Sequence, residues 1–531
     1  MQQIFKLRIF LKGFQRMDIE EFRKRGYETV DRICKYYQEL ENYEVLSKVE
    51  PGYLKKVLPK EAPEEPEPWE NIQCDIETKI IPGITHWQSP NFFAFYPANS
   101  SFPSILGDMY SDMFNVIGFN WLSSPACTEL ESVVLDWMGK LVGLDQKFHS
   151  DGRGGGVIQG TASEATLVTL LAAKYRMLEE YKAKGADEEK LRTLSTRLIA
   201  YGSDQTHICL KKATMIANIL FRALPTDDNF SLCGETVKQE MEKDITNGLI
   251  PFFIVGTIGT TNSAAIDKIT DIVDAIKGTN VWLHIDAAYA GSALICPEYK
   301  YLLEGINQAD SFDLNMHKGL LTNFDCSCLW IKERKYLINA LSITPDILKN
   351  SVSESGMVLD FRDWQISLGR RFRALKIWFV IRTYGAKGLR EHVMKTHKLA
   401  NRFRSKIQQY PDLFIIPTTP NFGLVNFYVK SNDSLKNSNK LTEMVSNRLN
   451  ESGKIYLTQT KMREQYIIRF APGSPLTTEK HIDQAFELLL KITQEVTMVI
   501  ICRSQNKLSY TINVINEVVI PVFLVLKEKA K

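Results

Sequence analysis

Four short stretches carry side chains whose types and spacing can do chemistry together. The first is Asp310-Ser-Phe-Asp-Leu-Asn-Met-His-Lys318-Gly, where a lysine follows an alternating apolar run and precedes a second strand-like run, Cys326 to Ile331. That places Lys318 where a strand gives way to a loop, and an amine there can form a Schiff base with an aldehyde if its surroundings suppress its protonation. Taken alone, it reads first as a solvated strand-end lysine. The second stretch, Trp282-Leu-His-Ile-Asp286-Ala-Ala-Tyr-Ala-Gly291, is an apolar strand ending in a carboxylate. Such an aspartate is costly to bury unless it faces a cation or caps the next turn. The small residues Ala287, Ala288 and Gly291 leave room for something flat. The third, Gly154-Gly-Gly-Val-Ile-Gln-Gly160-Thr-Ala-Ser163-Glu, reads as a glycine-rich turn into a helix from Thr161, with free backbone N–H groups and two hydroxyls suited to an anion. A tight turn with no ligand explains the same residues. The fourth is Ser203-Asp-Gln-Thr-His207-Ile, at a strand-to-helix junction where an imidazole can stack on a flat ring or serve structure only.

An anion cradle, a stacking imidazole, a carboxylate for a ring nitrogen and a lysine for a Schiff base are the parts needed to hold pyridoxal phosphate. Other chemistries lack their parts. The glycine spacing fits neither a P-loop nor G-x-G-x-x-G, and there is no H-E-x-x-H, paired-cysteine or G-x-S-x-G motif, so no metal site is expected.

The elements that must position these groups follow from the pattern of the 531 residues. An apolar fraction of 44%, charged residues at 24% and a net charge of +3 with interleaved signs give no footprint for nucleic acid or a membrane surface. The apolar window at Val518 to Leu526 is too short to span a bilayer. Nine scattered cysteines without a C-x-x-C pair read as reduced thiols, which predicts a cytoplasmic enzyme. Residues 1–16 hold four basic side chains and no acid or serine, and read as a short extension. From Asp18, apolar positions recur at spacings of three and four to Leu40, predicting an amphipathic helix with Asp18 and Glu21 as a capping box. Its apolar stripe must pack on later sequence or on a partner subunit. Residues 51–68 hold five prolines and read as an extended linker. The aromatic run Trp87, Phe92, Phe93, Phe95, Tyr96 and Pro97 suits a core, an interface or the walls of an apolar pocket.

Ser124-Pro125 opens a helix with Leu130, Val134, Trp137 and Leu141 on one face. Alternating strands and helices follow, with near-continuous apolar strands at 251–257 and 281–285, as in a mostly parallel sheet covered on both faces. After a helix over 370–384 the pattern becomes a smaller α/β unit, with strands at 423–429, 454–458 and 466–470 and helices near 437–452 and 478–496. The expected division is an extension over 1–16, a helical dimerisation segment over 17–100, a large cofactor-binding domain over 101–375, a small domain over 376–497 and an unassigned tail over 498–531.

Over about residues 17–497 the chain resembles the group II pyridoxal-phosphate decarboxylases, specifically aromatic L-amino-acid decarboxylases. The matching stretches include Gly83-Ile-Thr-His-Trp-Gln-Ser-Pro, Ser124-Pro-Ala-Cys-Thr-Glu-Leu-Glu, Gly156-Val-Ile-Gln-Gly-Thr-Ala-Ser-Glu-Ala, His284-Ile-Asp-Ala-Ala-Tyr-Ala-Gly-Ser-Ala, Asn315-Met-His-Lys and Gly369-Arg-Arg-Phe-Arg. The resemblance implies an aspartate-aminotransferase-like large domain, a homodimer packed through N-terminal helices, and decarboxylation of aromatic L-amino acids to arylalkylamines. It implies Lys318 as covalent anchor, Asp286 on the pyridine nitrogen and His207 stacked on the ring. It also implies Ala162, Ser163, Asn315 and His317 around the phosphate, and Thr261 and Ala288 near the cofactor. Trp87, Phe95, Tyr96 and Pro97 are implied around the substrate, with Gly369 favouring an indole or a broad aromatic range. Two positions depart from the family pattern. Ile347 stands in Pro345-Asp-Ile-Leu-Lys349, where relatives carry a tyrosine to which the final proton transfer is attributed, and an isoleucine has no proton to give. Loss of that tyrosine is associated with aldehyde synthases, which makes oxidative deamination the alternative outcome. A catalytically silent relative acting as a binding protein is the other alternative. Gly319 stands where relatives usually carry tryptophan, and the sequence assigns no effect to it.

Overall fold

The computed structural model describes residues 17–419, 421–431 and 434–504. The expected extension over 1–16, and the tail and its apolar window beyond 504, lie outside the described residues. Seven strands form the central sheet: β1 (Gly155–Gln159), β2 (Leu198–Ser203), β3 (Leu220–Leu224), β4 (Ile250–Thr257), β5 (Trp282–Asp286), β6 (Ser311–Asn315) and β7 (Ser327–Ile331), in the order β1-β7-β6-β5-β4-β2-β3. Strands β6, β5, β4, β2 and β3 pair in parallel, and β7 runs antiparallel to both its neighbours. Every residue of β5 and β6 is buried, so these strands are covered on both faces and show no polar alternation from burial. Parallel strands end at one edge of the sheet, and the carboxyl ends of β2, β4, β5 and β6 lead there to His207, Thr261, Asp286 and Lys318.

The glycine-rich run departs from expectation. Residues 155–159 are a buried strand, and the turn into the next helix is only Gly160-Thr161. Close packing explains the glycines. A Cβ on Gly154 would lie 2.0 Å from the Lys147 carbonyl oxygen, and one on Gly156 would lie 2.9 Å from both Leu135 Cβ and Trp330 Nε1.

Helix α1 (Ile19–Glu39) starts at Asp18, whose carboxylate accepts from the amides of Glu20 and Glu21 at 3.0 and 2.9 Å. The reciprocal half of the expected capping box is replaced by an ion pair from Glu21 to Arg25 at 2.7 Å. Ile19, Phe22, Tyr27 and Val30 remain exposed, and α1 meets later sequence through polar groups, Arg25 on Glu70 (2.7 Å), Arg32 on Glu77 (3.1 Å), Tyr36 on His86 (2.8 Å) and Tyr37 on Ser100 (3.1 Å). The proline-rich stretch contains a short helix, Tyr53–Val57, where an extended linker was expected. Helices α2 (Phe102–Phe114) and α3 (Pro125–Val142) follow. The buried face of α3 carries Cys127, Glu131, Val134, Leu135, Met138 and Val142, so the stripe is rotated from the expected one and Trp137 faces outward. Helix α4 (Ala162–Ala183) covers the sheet and α5 (Cys209–Ile216) follows β2.

Helix α6 (Ala374–Ile407) does not stop near Tyr384. Its regular geometry breaks at Gly385, with φ of 61°, and then resumes toward the second sheet. That sheet comprises β8 (Phe414–Ile415), β9 (Val425–Val429), β10 (Thr458–Met462) and β11 (Gln465–Phe470), antiparallel throughout in the order β10-β11-β9-β8. Helices α7 (Leu435–Glu451) and α8 (Glu479–Ser504) pack with it. Strand β10 begins where the expected strand at 454–458 was to end. Phe93 enters this second core, stacking on Phe470 at 4.3 Å between ring centres, and Phe403 stacks on the same ring at 3.7 Å. Part of the aromatic run is therefore core. No helix among the described residues is long and apolar enough to cross a membrane.

One buried ion pair ties three elements beneath the site. Glu131 on α3 accepts from the Ile158 amide of β1 at 2.8 Å and from the Arg370 guanidinium, and both charged side chains are 1% exposed. Removing one partner strands the other charge in the core. Glu131→Ala is expected to cost about 3–5 kcal/mol of unfolding free energy in urea titrations. A loss below about 1 kcal/mol would show that the pair is not holding these elements.

Candidate active site

Strand β6 ends at Asn315, and Met316–Lys318 form one 3-10 turn, pinned where the Met316 amide donates to the Cys326 carbonyl at 3.1 Å. The turn points the half-buried Lys318 into a cavity of about 200 Å³ at the carboxyl edge of the sheet. Desolvation lowers the proton affinity of its amine, and the carboxylates of Asp286 and Asp313 oppose that shift. A lysine so placed is nearer to its neutral, nucleophilic form than one in water.

The nine residues expected around a cofactor all line this cavity: Ala162, Ser163, His207, Thr261, Asp286, Ala288, Asn315, His317 and Lys318. Asp286, at the end of β5, is 5% exposed, and one carboxylate oxygen accepts from the Ala288 amide at 3.0 Å. His207 stands on the accessible side, where its Nδ1 accepts from the Cys209 amide at 3.2 Å, which leaves the proton on Nε2. Burial of the ring and the nearby Lys318 lower its pKa, and Asp286 opposes them. His317 Nδ1 accepts from the Cys326 amide at 3.0 Å, and burial brings this group down to about 3, so it is a neutral donor through Nε2 at physiological pH. Helix α4 begins at the wall, with Thr161 as its N-cap and the backbone amides of its first turn beside Ala162 and Ser163.

These groups fit pyridoxal phosphate on their own chemistry. The helix start, the Ser163 hydroxyl and the His317 donor suit a phosphate. The small side chain of Ala288 and the His207 imidazole suit the faces of a ring, Asp286 suits a protonated ring nitrogen, and Lys318 suits an aldehyde. Asn315 Oδ1 and Thr257 Oγ1 are buried at the wall without a hydrogen-bond partner in the protein, as polar atoms intended for a ligand would be.

The residues expected around a substrate do not gather as one group. Tyr96 stacks on Tyr289 at 3.4 Å between ring centres, donates its hydroxyl to the Thr260 carbonyl at 2.9 Å, and has the Arg469 guanidinium 4.9 Å from its ring centre. Tyr96 and Pro97 line a second, water-sized space of about 20 Å³ on another side of Lys318, together with Gly319, Ser292 and His392. A Cβ at Gly319 would lie 2.6 Å from Ser292 Oγ. Trp87 and Phe95 stack on one another at 5.3 Å near the surface and line neither cavity. The divergence has a backbone cause, because Phe95 has a φ of 58° and the chain turns sharply between neighbouring aromatics. Gly369 also lies away from both cavities, where a Cβ would meet only Ile117, at 3.6 Å. Within this chain, the structure brings Tyr96 and Pro97 to Lys318 but not Trp87, Phe95 or Gly369.

Two side chains that line the cavity, Thr257 and Tyr289, and two fully buried on the strand face that carries Asp286, His284 and Asp313, were not singled out from sequence. An acid inside an apolar strand, as in Ser311-Phe-Asp-Leu, and a histidine two places before Asp286 were the available signals, since alternation puts such residues on the face of the strand that carries the chemistry.

The family model described as the pyridoxal-dependent decarboxylase conserved domain matches residues 51–430. Tryptophan decarboxylase 2 of Oryza sativa subsp. japonica is 47% identical over 479 residues, covering 89% of this chain and 94% of that protein. Phenylacetaldehyde synthase of Arabidopsis thaliana is 45% identical over 484 residues, covering 90% of this chain and 97% of that protein. The crystal structure of Oryza sativa TDC with PLP and tryptamine superposes with a TM-score of 0.87 at 37% identity, covering 90% of this chain and 99% of that one. With a desolvated lysine, a buried aspartate and a helix start meeting in one cavity, and with these matches running through most of its length, the chain belongs to the pyridoxal-dependent decarboxylase family.

Proposed function

We propose that this protein removes carbon dioxide from aromatic L-amino acids to give arylalkylamines, using pyridoxal phosphate anchored on Lys318. The observation that carries this reading is the convergence of Lys318, Asp286 and His207 on one cavity with the start of α4 at its wall. When bound, pyridoxal phosphate supplies the electron sink that accepts the electron pair left behind as the α-carboxylate departs. Asp286 would face the ring nitrogen and favour its protonated form by its negative charge, Lys318 would be the covalent anchor, and His207 would present a neutral ring with Nε2 as donor. The start of α4, Ser163 and His317 would hold the phosphate, with Asn315, Thr261 and Ala288 completing the enclosure. Tyr96 and Pro97 supply apolar surface beside Lys318, and the tryptophan- and phenyl-directed names of the relatives support an aromatic substrate.

A homodimer is part of the same reading. Phe102, Leu106, Met109, Met113 and Phe114 of α2 and the stripe of α1 are exposed in one chain, and a second copy is the economical cover for so much apolar surface. Trp87, Phe95 and Gly369, which lie outside the cavity of one chain, are then placed to act only through the assembly. A cytoplasmic location is supported by eight of the nine cysteines, whose side chains are described and are each a free thiol.

Ile347 favours a second outcome. It sits on an exposed turn, Asp346–Leu348, and has no proton to donate. Without a proton donor the reacting carbon is open to dioxygen, and amino acid, O2 and H2O would give aldehyde, CO2, NH3 and H2O2. Incubating the loaded protein aerobically with tryptophan, phenylalanine, tyrosine and dihydroxyphenylalanine separates the readings. Amine equimolar with CO2 and free of peroxide is expected. Aldehyde with equimolar peroxide would replace that outcome by the oxidative one, and absence of CO2 would leave a binding protein. Asp286→Asn, which keeps shape but removes charge, is expected to lower kcat by about 10²–10³-fold, in the range seen when one preorganised electrostatic group is removed. Unchanged turnover would remove Asp286 from the mechanism.

A further inference from the structure

Beneath Asp286 lies a buried pair that the reaction as described does not use. Strands β5 and β6 pair in parallel with His284 opposite Ser311 and Asp286 opposite Asp313. Alternation along each strand puts these four side chains on one face, so His284 and Asp313 share the face that carries Asp286. Both are fully buried, and His284 Nε2 lies 3.4 Å from Asp313 Oδ1. Apart from His284, no side chain among the described residues donates to Asp313, and no arginine or lysine forms an ion pair with it.

That arrangement is expensive unless a proton compensates it. The titratable groups facing the pair are Asp286 on β5, Lys318 after β6, Cys209 on α5 and Cys328 on β7, with Asp267 beyond Asp286. Two carboxylates in register on adjacent strands therefore face a single amine, in a region dry enough that like charges repel strongly. The imidazole is set up to carry the missing proton. Its Nδ1 lies 2.9 Å from Ser311 Oγ, and that oxygen already accepts from Trp282 Nε1 at 2.8 Å and can accept a second hydrogen from the ring.

We propose that His284 and Asp313 hold one extra proton between them, as imidazolium and carboxylate, and act as a positioning pair that keeps the charge facing Lys318 constant. Burial raises the pKa of the Asp313 carboxyl to about 6, and the neighbouring His284 opposes that rise. The pair touches neither substrate nor cofactor. It keeps Asp286 as the one uncompensated carboxylate at the cavity, so that Asp286 is matched to the ring nitrogen and Lys318 is not overheld as an ammonium. The inference rests on the cofactor reading given above.

The test is the pH midpoint of the visible absorbance change of the protein loaded with pyridoxal phosphate, followed between pH 7 and 9 in His284→Gln and Asp313→Asn. If the pair carries the extra proton, H284Q leaves Asp313 as a bare negative charge and raises the midpoint by about one unit, the lower end of the effect of a nearby charge. D313N then moves it little, because His284 gives up its proton when its partner is lost. The opposite pattern, with D313N lowering the midpoint by about one unit and H284Q leaving it in place, would show a neutral imidazole and overturn the proposal. So would a midpoint that neither variant moves. Absence of the band in the wild-type protein would instead be a failure of the cofactor reading. Should the variants not fold, selective ¹⁵N-histidine spectra of the loaded wild-type protein give the same answer at pH 7.5. All eight histidines carrying an unprotonated ring nitrogen would overturn the proposal, and one ring with both nitrogens protonated, its second proton resistant to solvent exchange, is expected.

Discussion

The structure depends on keeping one amine and its carboxylate partners out of water at the end of a parallel sheet. Lys318 and Asp286 come from neighbouring strand ends, β6 and β5, and neither position works without the other. Desolvation alone would make the lysine neutral and the aspartate a liability, whereas together they supply a nucleophile and an anionic partner for a ring cation. The rest of the large sheet follows from this demand. Strands β4 to β6 are buried on both faces, which excludes water from below, and parallel pairing delivers several strand ends to one edge.

Beneath that edge the fold invests in further buried charge. Glu131 and Arg370 join α3, β1 and the segment entering α6, and His284 with Asp313 lies directly under the cavity floor. Buried ionic groups are a poor source of net stability, so their presence is better understood as fixing geometry and charge than as gluing elements together. Gly319 adds a local freedom beside the anchor. Lacking a Cβ that would press on Ser292, it leaves a water-sized space next to Lys318, bounded by Tyr96, Pro97 and His392.

Much of this was legible in the amino-acid sequence for a physical reason. Residues that meet at a strand edge are each preceded by an apolar run, so Lys318, Asp286 and His207 could be placed at strand ends without knowing how the strands pair. The nine expected cofactor neighbours fall on one cavity because each lies within a few residues of such an end. Legibility failed where local pattern and packing part company. The glycines at 154–156 read as a turn but serve close strand packing, and Trp137 fits a helical stripe yet faces outward. Phe95 and Tyr96 are adjacent in sequence but diverge at a left-handed backbone position. Asp313 was visible as an acid in an apolar strand, but only the register between β5 and β6 shows that it stands beside Asp286.

The claim on which everything else rests is that Lys318 is the residue that binds the cofactor covalently. Loading the purified protein with pyridoxal phosphate, reducing it with borohydride and sequencing the modified peptide by mass spectrometry tests it most directly. The account predicts a reduced pyridoxyl group, fixed to the lysine of Asn315-Met-His-Lys318 in stoichiometric amount. A modification on another lysine, or none at all in protein shown to be folded, would contradict it.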